Sequence, residues 1–254
     1  MNETAAERAS TGLAGLDALI EGGYPAHRTV LACGGAGTGK TTLGLQFLVA
    51  GIERSEPGAF VSVDEKPRHI LADAARLEWD LPPAIDAGLL TLLDASPFFT
   101  SLRSRNGSHH GIDVREVAAD LVQEVSRIGA RRLVVDSLTS LVPPALTGAE
   151  VHGYLRALIQ SLEDNAGCTT LLTCRSSRAA DPQGSCEAAQ SLTAGVIELR
   201  LARHGARLGR TLRIRKMRGT AVEPAEYPYT IEAGWGISLV DQASVGMLAS
   251  ASNL

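Results

Sequence analysis

The sequence contains few aromatic residues and no long apolar run, and each shortage argues against a class of protein. Aromatic residues make up 4% of the chain, and its net charge is −4. Both facts argue against an extended nucleic-acid stripe built on base stacking and positive charge. No stretch approaches the roughly 20 apolar residues that a membrane crossing needs. The composition, 44% apolar and 20% charged, therefore predicts a soluble globular protein.

The first residues also lack the features of an export signal. Residues 1–4 include an acidic side chain, and no apolar segment follows them. We therefore expect a cytoplasmic protein with no membrane partner.

Cysteine is scarce as well. The four cysteines form no C-x-x-C pair and have no ligand-like spacing to histidine; they are Cys33, Cys168, Cys174 and Cys186. We expect four reduced thiols and no metal site of their own.

Charge is distributed unevenly along the chain. Between residues 200 and 218 there are eight basic residues and no acidic one: Arg200, Arg203, Arg207, Arg210, Arg213, Arg215, Lys216 and Arg218. The whole chain has 24 basic and 28 acidic residues, so the remainder has 16 against 28. Such asymmetry indicates that the basic segment meets a partner.

Residues 34–41, GGAGTGKT, match the phosphate-binding pattern G-x-x-x-x-G-K-[ST]. An apolar run precedes them, and a helical apolar stripe follows. Small residues let backbone N–H groups surround a polyphosphate, and the dipole of the following helix favours negative charge. The alternative is a structural glycine-rich turn. The predicted nucleotide-binding residues are Gly35, Ala36, Gly37, Thr38, Gly39, Lys40, Thr41 and Thr42.

Strand and helix patterns alternate from residue 29 onward, which predicts a mostly parallel sheet with helices on both faces. Apolar runs at 196–201 and 211–214 predict an antiparallel hairpin region near the C-terminus. We expect one α/β domain over residues 1–254, with a core at about 8–240 and a flexible tail at 241–254. Residues 96–111 show neither periodicity and are expected to form a mobile loop.

Three carboxylates follow predicted strands. Asp136 ends the apolar run 131–136, where it can hold Mg²⁺ together with Thr41. The alternative for Asp136 is a turn or helix cap. Asp64 and Glu65 end the strand after the first helix, where one of them can orient or deprotonate an attacking water. The alternative for this pair is a solvated surface position.

Several motifs in this order resemble the KaiC-like ATPases of the RecA-like P-loop NTPase superfamily, over about residues 8–240. They are Ser10-Thr11-Gly12, Leu16-Asp17, Gly22-Gly23, the phosphate loop, Asp64-Glu65, the segment 135–141 and the segment 216–220. The resemblance implies a RecA-like core, ATP and Mg²⁺ as cofactors, and a ring homo-oligomer, usually a hexamer, with ATP between subunits. It also implies that Lys216 and Arg218 contact the γ-phosphate bound by the adjacent subunit.

The alternative for these two cations is an exposed strand face, since Leu212 and Ile214 alternate with Arg213 and Arg215.

The chain departs from the family pattern at several positions. Asp64 replaces the usual first glutamate, and Arg175 stands where relatives often have an acid. Ala221-Val222 replaces a histidine, which weakens the prediction of nucleotide preference. Ser191 and Thr193 lie near the place of an autophosphorylated pair, as possible phosphoacceptors. The residues beside them do not match the family pattern, so autokinase activity is not expected.

The leading functional hypothesis is an oligomeric, Mg²⁺-dependent ATPase that acts as a signalling or regulatory switch on a protein partner. Its proposed catalytic residues are Asp64, Glu65, Lys40, Lys216 and Arg218. Two alternatives remain open: a RecA-like DNA-binding recombination or repair ATPase, and a nucleotide sensor with little turnover.

Overall fold

The computed structural model describes residues 7–95, 114–176, 181–204 and 207–240. The loop and the tail expected at 96–111 and 241–254 lie outside these ranges. Most of the described chain is organised around a nine-stranded sheet with the order β11-β10-β9-β8-β3-β7-β6-β4-β5. The strands are β3 (Thr29–Gly34), β4 (Gly58–Ser62), β5 (Leu90–Asp94), β6 (Arg132–Asp136), β7 (Thr169–Arg175), β8 (Gly195–His204), β9 (Arg207–Met217), β10 (Glu226–Glu232) and β11 (Gly236–Leu239).

Six strands, from β8 to β5 in this order, pair in parallel. Every residue of β3 and of β4 is buried, so both faces of the sheet centre are covered. This explains why these strands read as continuous apolar runs rather than as alternating ones. The predicted parallel core is confirmed.

Helices cover both faces of the sheet. One face carries α1 (Ala14–Leu19), α2 (Lys40–Ile52), α3 (Pro67–Arg76) and α4 (Pro82–Asp86). The other carries α5 (Val114–Arg127), α6 (Leu138–Leu141), α7 (Gly148–Ser161), a π-helical turn (Leu162–Ala166) and α8 (Ser185–Leu192). In the described part of the chain, no helix combines the length and apolar character that a bilayer crossing demands.

The C-terminal third is antiparallel, as predicted. β8 pairs with β9, β9 with β10, and β10 with β11. The hairpin strands are longer than their apolar runs, since pairing continues to His204 on β8 and begins at Arg207 on β9. A two-stranded sheet of β1 (Arg8–Ala9) and β2 (Tyr24–Pro25), together with α1 and α4, was not predicted.

The structure corrects one expectation about the cysteines. Cys174 and Cys186 form a disulfide, with Cα atoms 5.6 Å apart, whereas reduced thiols were predicted. The pair joins the end of β7 to α8, and the fold brings together residues that are 12 positions apart. Sequence spacing alone did not reveal this contact. Cys33 and Cys168 are free thiols, as expected, and both are buried.

Candidate functional site

The phosphate loop connects the carboxyl end of β3 to the first turn of α2. Gly37 and Gly39 adopt φ values of 74° and 88°, in the left-handed region that favours glycine. A Cβ atom added at Gly39 would lie 2.6 Å from Cδ1 of Ile231, so the end of that side chain would have to shift. The Lys40 ammonium donates to the Gly35 carbonyl over 2.8 Å. The loop therefore has the shape and the charge that a polyphosphate requires.

Asp136 lies beside this loop at the end of β6. The Thr41 hydroxyl donates to one carboxylate oxygen of Asp136 over 2.6 Å, and the Thr173 hydroxyl donates to the other. A hydroxyl and a carboxylate next to a phosphate loop are oxygen ligands suited to Mg²⁺. No group of three His, Cys, Asp or Glu side chains suited to a metal occurs in the described ranges.

A cavity of about 330 Å³ opens at the loop. Its lining residues are Gly37, Gly39, Lys40, Thr41, Thr42, Arg210 and Ile231. Arg210 donates to the Gly37 carbonyl over 3.3 Å, and the Tyr229 hydroxyl donates to the Thr38 carbonyl. Arg210, Tyr229 and Ile231 come from β9 and β10 and were not predicted. Their position beside the phosphate loop results from the pairing of strands that are distant in sequence. Arg210 is also one of the eight basic residues between 200 and 218.

The two candidate catalytic carboxylates have different surroundings. Asp64 accepts hydrogen bonds from the hydroxyls of Ser137, over 3.0 Å, and Ser140, over 2.5 Å. The Arg175 guanidinium lies 3.8 Å from the same carboxylate. Glu65 instead lies 3.9 Å from the exposed ring of His69. Because Ser137 directly follows Asp136, its hydrogen bond connects Asp64 to the candidate magnesium site. Both carboxylates are partly exposed, so their partners distinguish them rather than their burial.

Burial lowers the pKa of Lys40, and the charge of Arg175 lowers it further, while Asp136 raises it. Asp136 and Arg175 are therefore both close enough to Lys40 for their charges to act on it. The sequence predicted site roles for Lys40 and Asp136, and it marked Arg175 as a departure from the family pattern without giving it a role.

Lys216 and Arg218 lie far from the phosphate loop of their own chain. Met217 is in register with Gly195, which is in register with Val30 near the start of β3. The phosphate loop follows the other end of β3. A strand of six residues is roughly 17 Å long, so about this distance separates its two ends. Lys216 donates to the Ser191 carbonyl over 3.4 Å. Burial and the charge of Arg218 lower the pKa of Lys216.

The two candidate phosphoacceptors also lie near this distant edge. Ser191 is exposed, and its hydroxyl donates to the Ala188 carbonyl over 2.8 Å. Thr193 is fully buried, and its hydroxyl donates to the Ala189 carbonyl over 3.0 Å. Both hydroxyls serve the end of α8, and neither lies at the phosphate loop.

Comparison with known proteins agrees with this geometry. The family model described as "ATPase: KaiC" matches residues 9–244. A UPF0273 protein of Pyrococcus horikoshii is 32% identical over 232 residues, covering 88% of this chain and 90% of that protein. The circadian clock oscillator protein KaiC of Synechococcus elongatus is 33% identical over 247 residues. That alignment covers 96% of this chain but 46% of KaiC, so the chain spans about half of that relative.

A solved structure is similar over almost the whole chain. The crystal structure of a KaiC-like protein from the hyperthermophilic archaeon Pyrococcus horikoshii has a TM-score of 0.77 and 31% sequence identity. The match covers 93% of this chain and all of that one. Phosphate loop, sheet order, family model and structural neighbour thus agree, and the chain belongs to the KaiC ATPase family.

Proposed function

We propose that this protein is a Mg²⁺-dependent ATPase whose nucleotide state acts as a regulatory switch. The proposal rests on one observation, that Lys40, Thr41 and Asp136 lie together at the phosphate loop. The Thr41 hydroxyl oxygen is 2.6 Å from a carboxylate oxygen of Asp136. Lys40 provides charge for the outer phosphates, and Thr41 with Asp136 holds the magnesium ion. The ion, when bound, neutralises negative charge on the phosphates.

Asp64 is the carboxylate that orients the attacking water. Ser137 and Ser140 fix both of its oxygens, so its position is determined before substrate arrives. A water next to this carboxylate can transfer its proton as it attacks the terminal phosphate. The same two hydroxyl donors hold this short carboxylate in place.

Replacement of Lys40 tests the assignment. Lys40→Ala is expected to lower both ATP binding and phosphate release strongly, because the outer phosphates lose their cation. Phosphate release is measured with Mg²⁺ for the wild type and the variant, and thermal melts check that both are folded. If Lys40→Ala hydrolyses ATP as fast as the wild type, the ATPase proposal is wrong.

A ring homo-oligomer, for which we propose six subunits, would bring Lys216 and Arg218 to the ATP of the adjacent subunit. This proposal is supported by the position of the two cations, which lie at the opposite end of the strands from the phosphate loop of their own chain. Light scattering with and without ATP and Mg²⁺ tests assembly. A wild type that gains no higher oligomer with nucleotide, together with full activity of Arg218→Ala, would exclude this arrangement.

The DNA-binding alternative has less support from the basic segment. Arg200 pairs with Glu198 over 2.8 Å and with Glu226 over 3.4 Å, and Arg215 pairs with Glu198 over 3.4 Å. These acidic partners reduce the charge available to a phosphate backbone. DNA binding at low ionic strength, stimulated by ATP, would favour that alternative. ATP binding with no phosphate release over hours would instead indicate a nucleotide sensor.

A further inference from the structure

Arg175 lies beside the phosphate loop but has no role in the proposed reaction. It is the last residue of β7 and is in register with Gly34, where the phosphate loop begins. Adjacent strands lie roughly 5 Å apart, so the backbone of Arg175 is close to the loop. Its N–H donates to the Thr139 hydroxyl over 3.2 Å, which fixes this strand end to the segment after Asp136.

Among the described residues, the guanidinium of Arg175 makes a weak contact with Asp64. It lies 3.8 Å from Asp64, and the two side chains are 54% and 38% exposed. An ion pair this exposed contributes little to stability, so exchanging its partner costs little. Asp64 keeps its two serine donors in any case. The Arg175 side chain is therefore able to move to a stronger anion without disturbing the position of Asp64.

The nearest place for such an anion is the phosphate loop itself. The charge of Arg175 acts on Lys40, the residue that faces the outer phosphates. Arg210 contacts the loop at Gly37, in the cavity, whereas Arg175 is on the side of Asp64. If Asp64 orients the attacking water, as proposed, the terminal phosphate of a triphosphate would lie on that side, and a diphosphate lacks this phosphate.

We propose that Arg175 senses the terminal phosphate of the ATP bound by its own subunit, exchanging Asp64 for that phosphate when the triphosphate is present. This inference rests on the proposed ATPase function. Guanidinium binds phosphate through paired, charge-assisted hydrogen bonds. The exchange makes the site respond to ATP rather than ADP, and it releases the Asp64 carboxylate for the water.

Binding of a nonhydrolysable ATP analogue and of ADP, with Mg²⁺, tests the exchange by calorimetry. Arg175→Ala is expected to weaken analogue binding by about tenfold or more and to change ADP binding by no more than about twofold. Arg175→Gln, which keeps most of the side-chain length without the charge, is expected to behave in the same way. Arg127→Ala, a change at an exposed arginine on α5 paired with Glu124, is the matched control and leaves both affinities unchanged.

A double-mutant cycle separates exchange from simple charge attraction. Asp64→Asn frees Arg175, so the analogue is expected to bind about two- to fivefold more tightly. In the Arg175→Ala background, Asp64→Asn gives no such gain. Equal gains in both backgrounds, or an equal loss of ATP-analogue and ADP binding in Arg175→Ala, would overturn the inference.

The outcomes also separate this inference from the function on which it rests. A wild type that binds and hydrolyses ATP, with a ratio of analogue to ADP affinity unchanged by Arg175→Ala, contradicts the sensing role alone. A wild type that binds neither nucleotide contradicts the proposed function and this inference together.

Discussion

At the scale of single residues, the most consequential buried group outside the site is Arg132. Its side chain is 1% exposed, at the start of β6. It pairs with Glu56 over 2.7 Å, donates to the carbonyls of Ser10 and Phe47, and lies 4.7 Å from the centre of the Phe47 ring. One guanidinium thus connects the N-terminal segment, α2 and the strand that carries Asp136.

Arg132→Ala is expected to lower the free energy of unfolding by about 3–5 kcal/mol, because Glu56 and two carbonyls lose their partner. Urea unfolding monitored by circular dichroism measures the change. The control is Arg127→Ala, which removes an exposed pair with Glu124 and is expected to cost less than about 1 kcal/mol. Similar losses in the two variants would contradict the role given to Arg132.

The two adjacent carboxylates provide a second test at this scale. Asp64→Asn is expected to lower the turnover number by about a hundredfold or more, the usual contribution of a positioned base. Glu65→Gln is expected to lower it by less than about tenfold, since Glu65 faces His69 and solvent. Steady-state phosphate release distinguishes the two variants. The reverse order of the two effects would assign the water to Glu65.

At the scale of elements, β10 and β11 support the phosphate loop from outside the parallel core. Tyr229 of β10 is 3% exposed and donates to the Thr38 carbonyl. The Gln46 side chain of α2 accepts from the backbone N–H of Ile237 over 2.8 Å and donates to its carbonyl over 3.1 Å. The antiparallel strands thus fix both the loop and the helix that follows it.

The tyrosine at this junction predicts a dependence on alkaline pH. Burial raises the pKa of Tyr229 to about 12, above the ordinary value of 10.0. Between these pH values the folded state keeps a proton that the unfolded state loses. The contribution of Tyr229 to stability is therefore complete below pH 10 and is lost as the pH rises toward 12.

Tyr229→Phe is expected to be less stable than the wild type by about 1 kcal/mol at pH 8, where the hydrogen bond is lost. At pH 11 the free energy of unfolding of the wild type has fallen by about 1 kcal/mol through this tyrosine. The stability difference between the wild type and Tyr229→Phe is therefore smaller than at pH 8. Urea unfolding at both pH values measures it. A difference that stays constant would contradict the proton linkage.

The sequence predicted those elements whose signals are local. β3, β4, β6 and β7 appear as apolar runs because both of their faces are buried. Lys40 and Thr41 follow from loop spacing, and Asp136 follows from its place at a strand end. Arg175, Tyr229 and the disulfide of Cys174 and Cys186 could not be predicted in this way, since strand register and helix packing bring them into place.

At the scale of the whole molecule, the sheet separates the two charge groups that the proposed reaction needs. The phosphate loop follows the carboxyl end of β3, whereas Lys216 and Arg218 lie level with its beginning. A head-to-tail interface joins unlike surfaces of identical chains, and it forms a ring when the rotation between neighbouring subunits closes. Each subunit of such a ring can provide phosphate-binding residues for one ATP and cations for the next.

Mixing two inactive variants tests this arrangement. Lys40→Ala is expected to lose its own site but to keep its cations, and Arg218→Ala is expected to lose about 10³-fold or more in turnover with its site intact. In a random one-to-one ring, about a quarter of the interfaces combine an intact site with an intact arginine. Phosphate release is therefore expected to rise to about a quarter of the wild-type value after mixing.

The control mixture replaces Lys40→Ala by the double variant Lys40→Ala/Arg218→Ala, which has no arginine to contribute and is expected to restore nothing. Light scattering, with one variant enlarged by a fused tag, shows whether the two proteins assemble together. Mixed rings that form without any gain in phosphate release would contradict the trans role of Arg218. A gain in the first mixture but not in the control would instead require that the cation acts on the ATP of the neighbouring subunit, as the separation of the two edges of the sheet predicts.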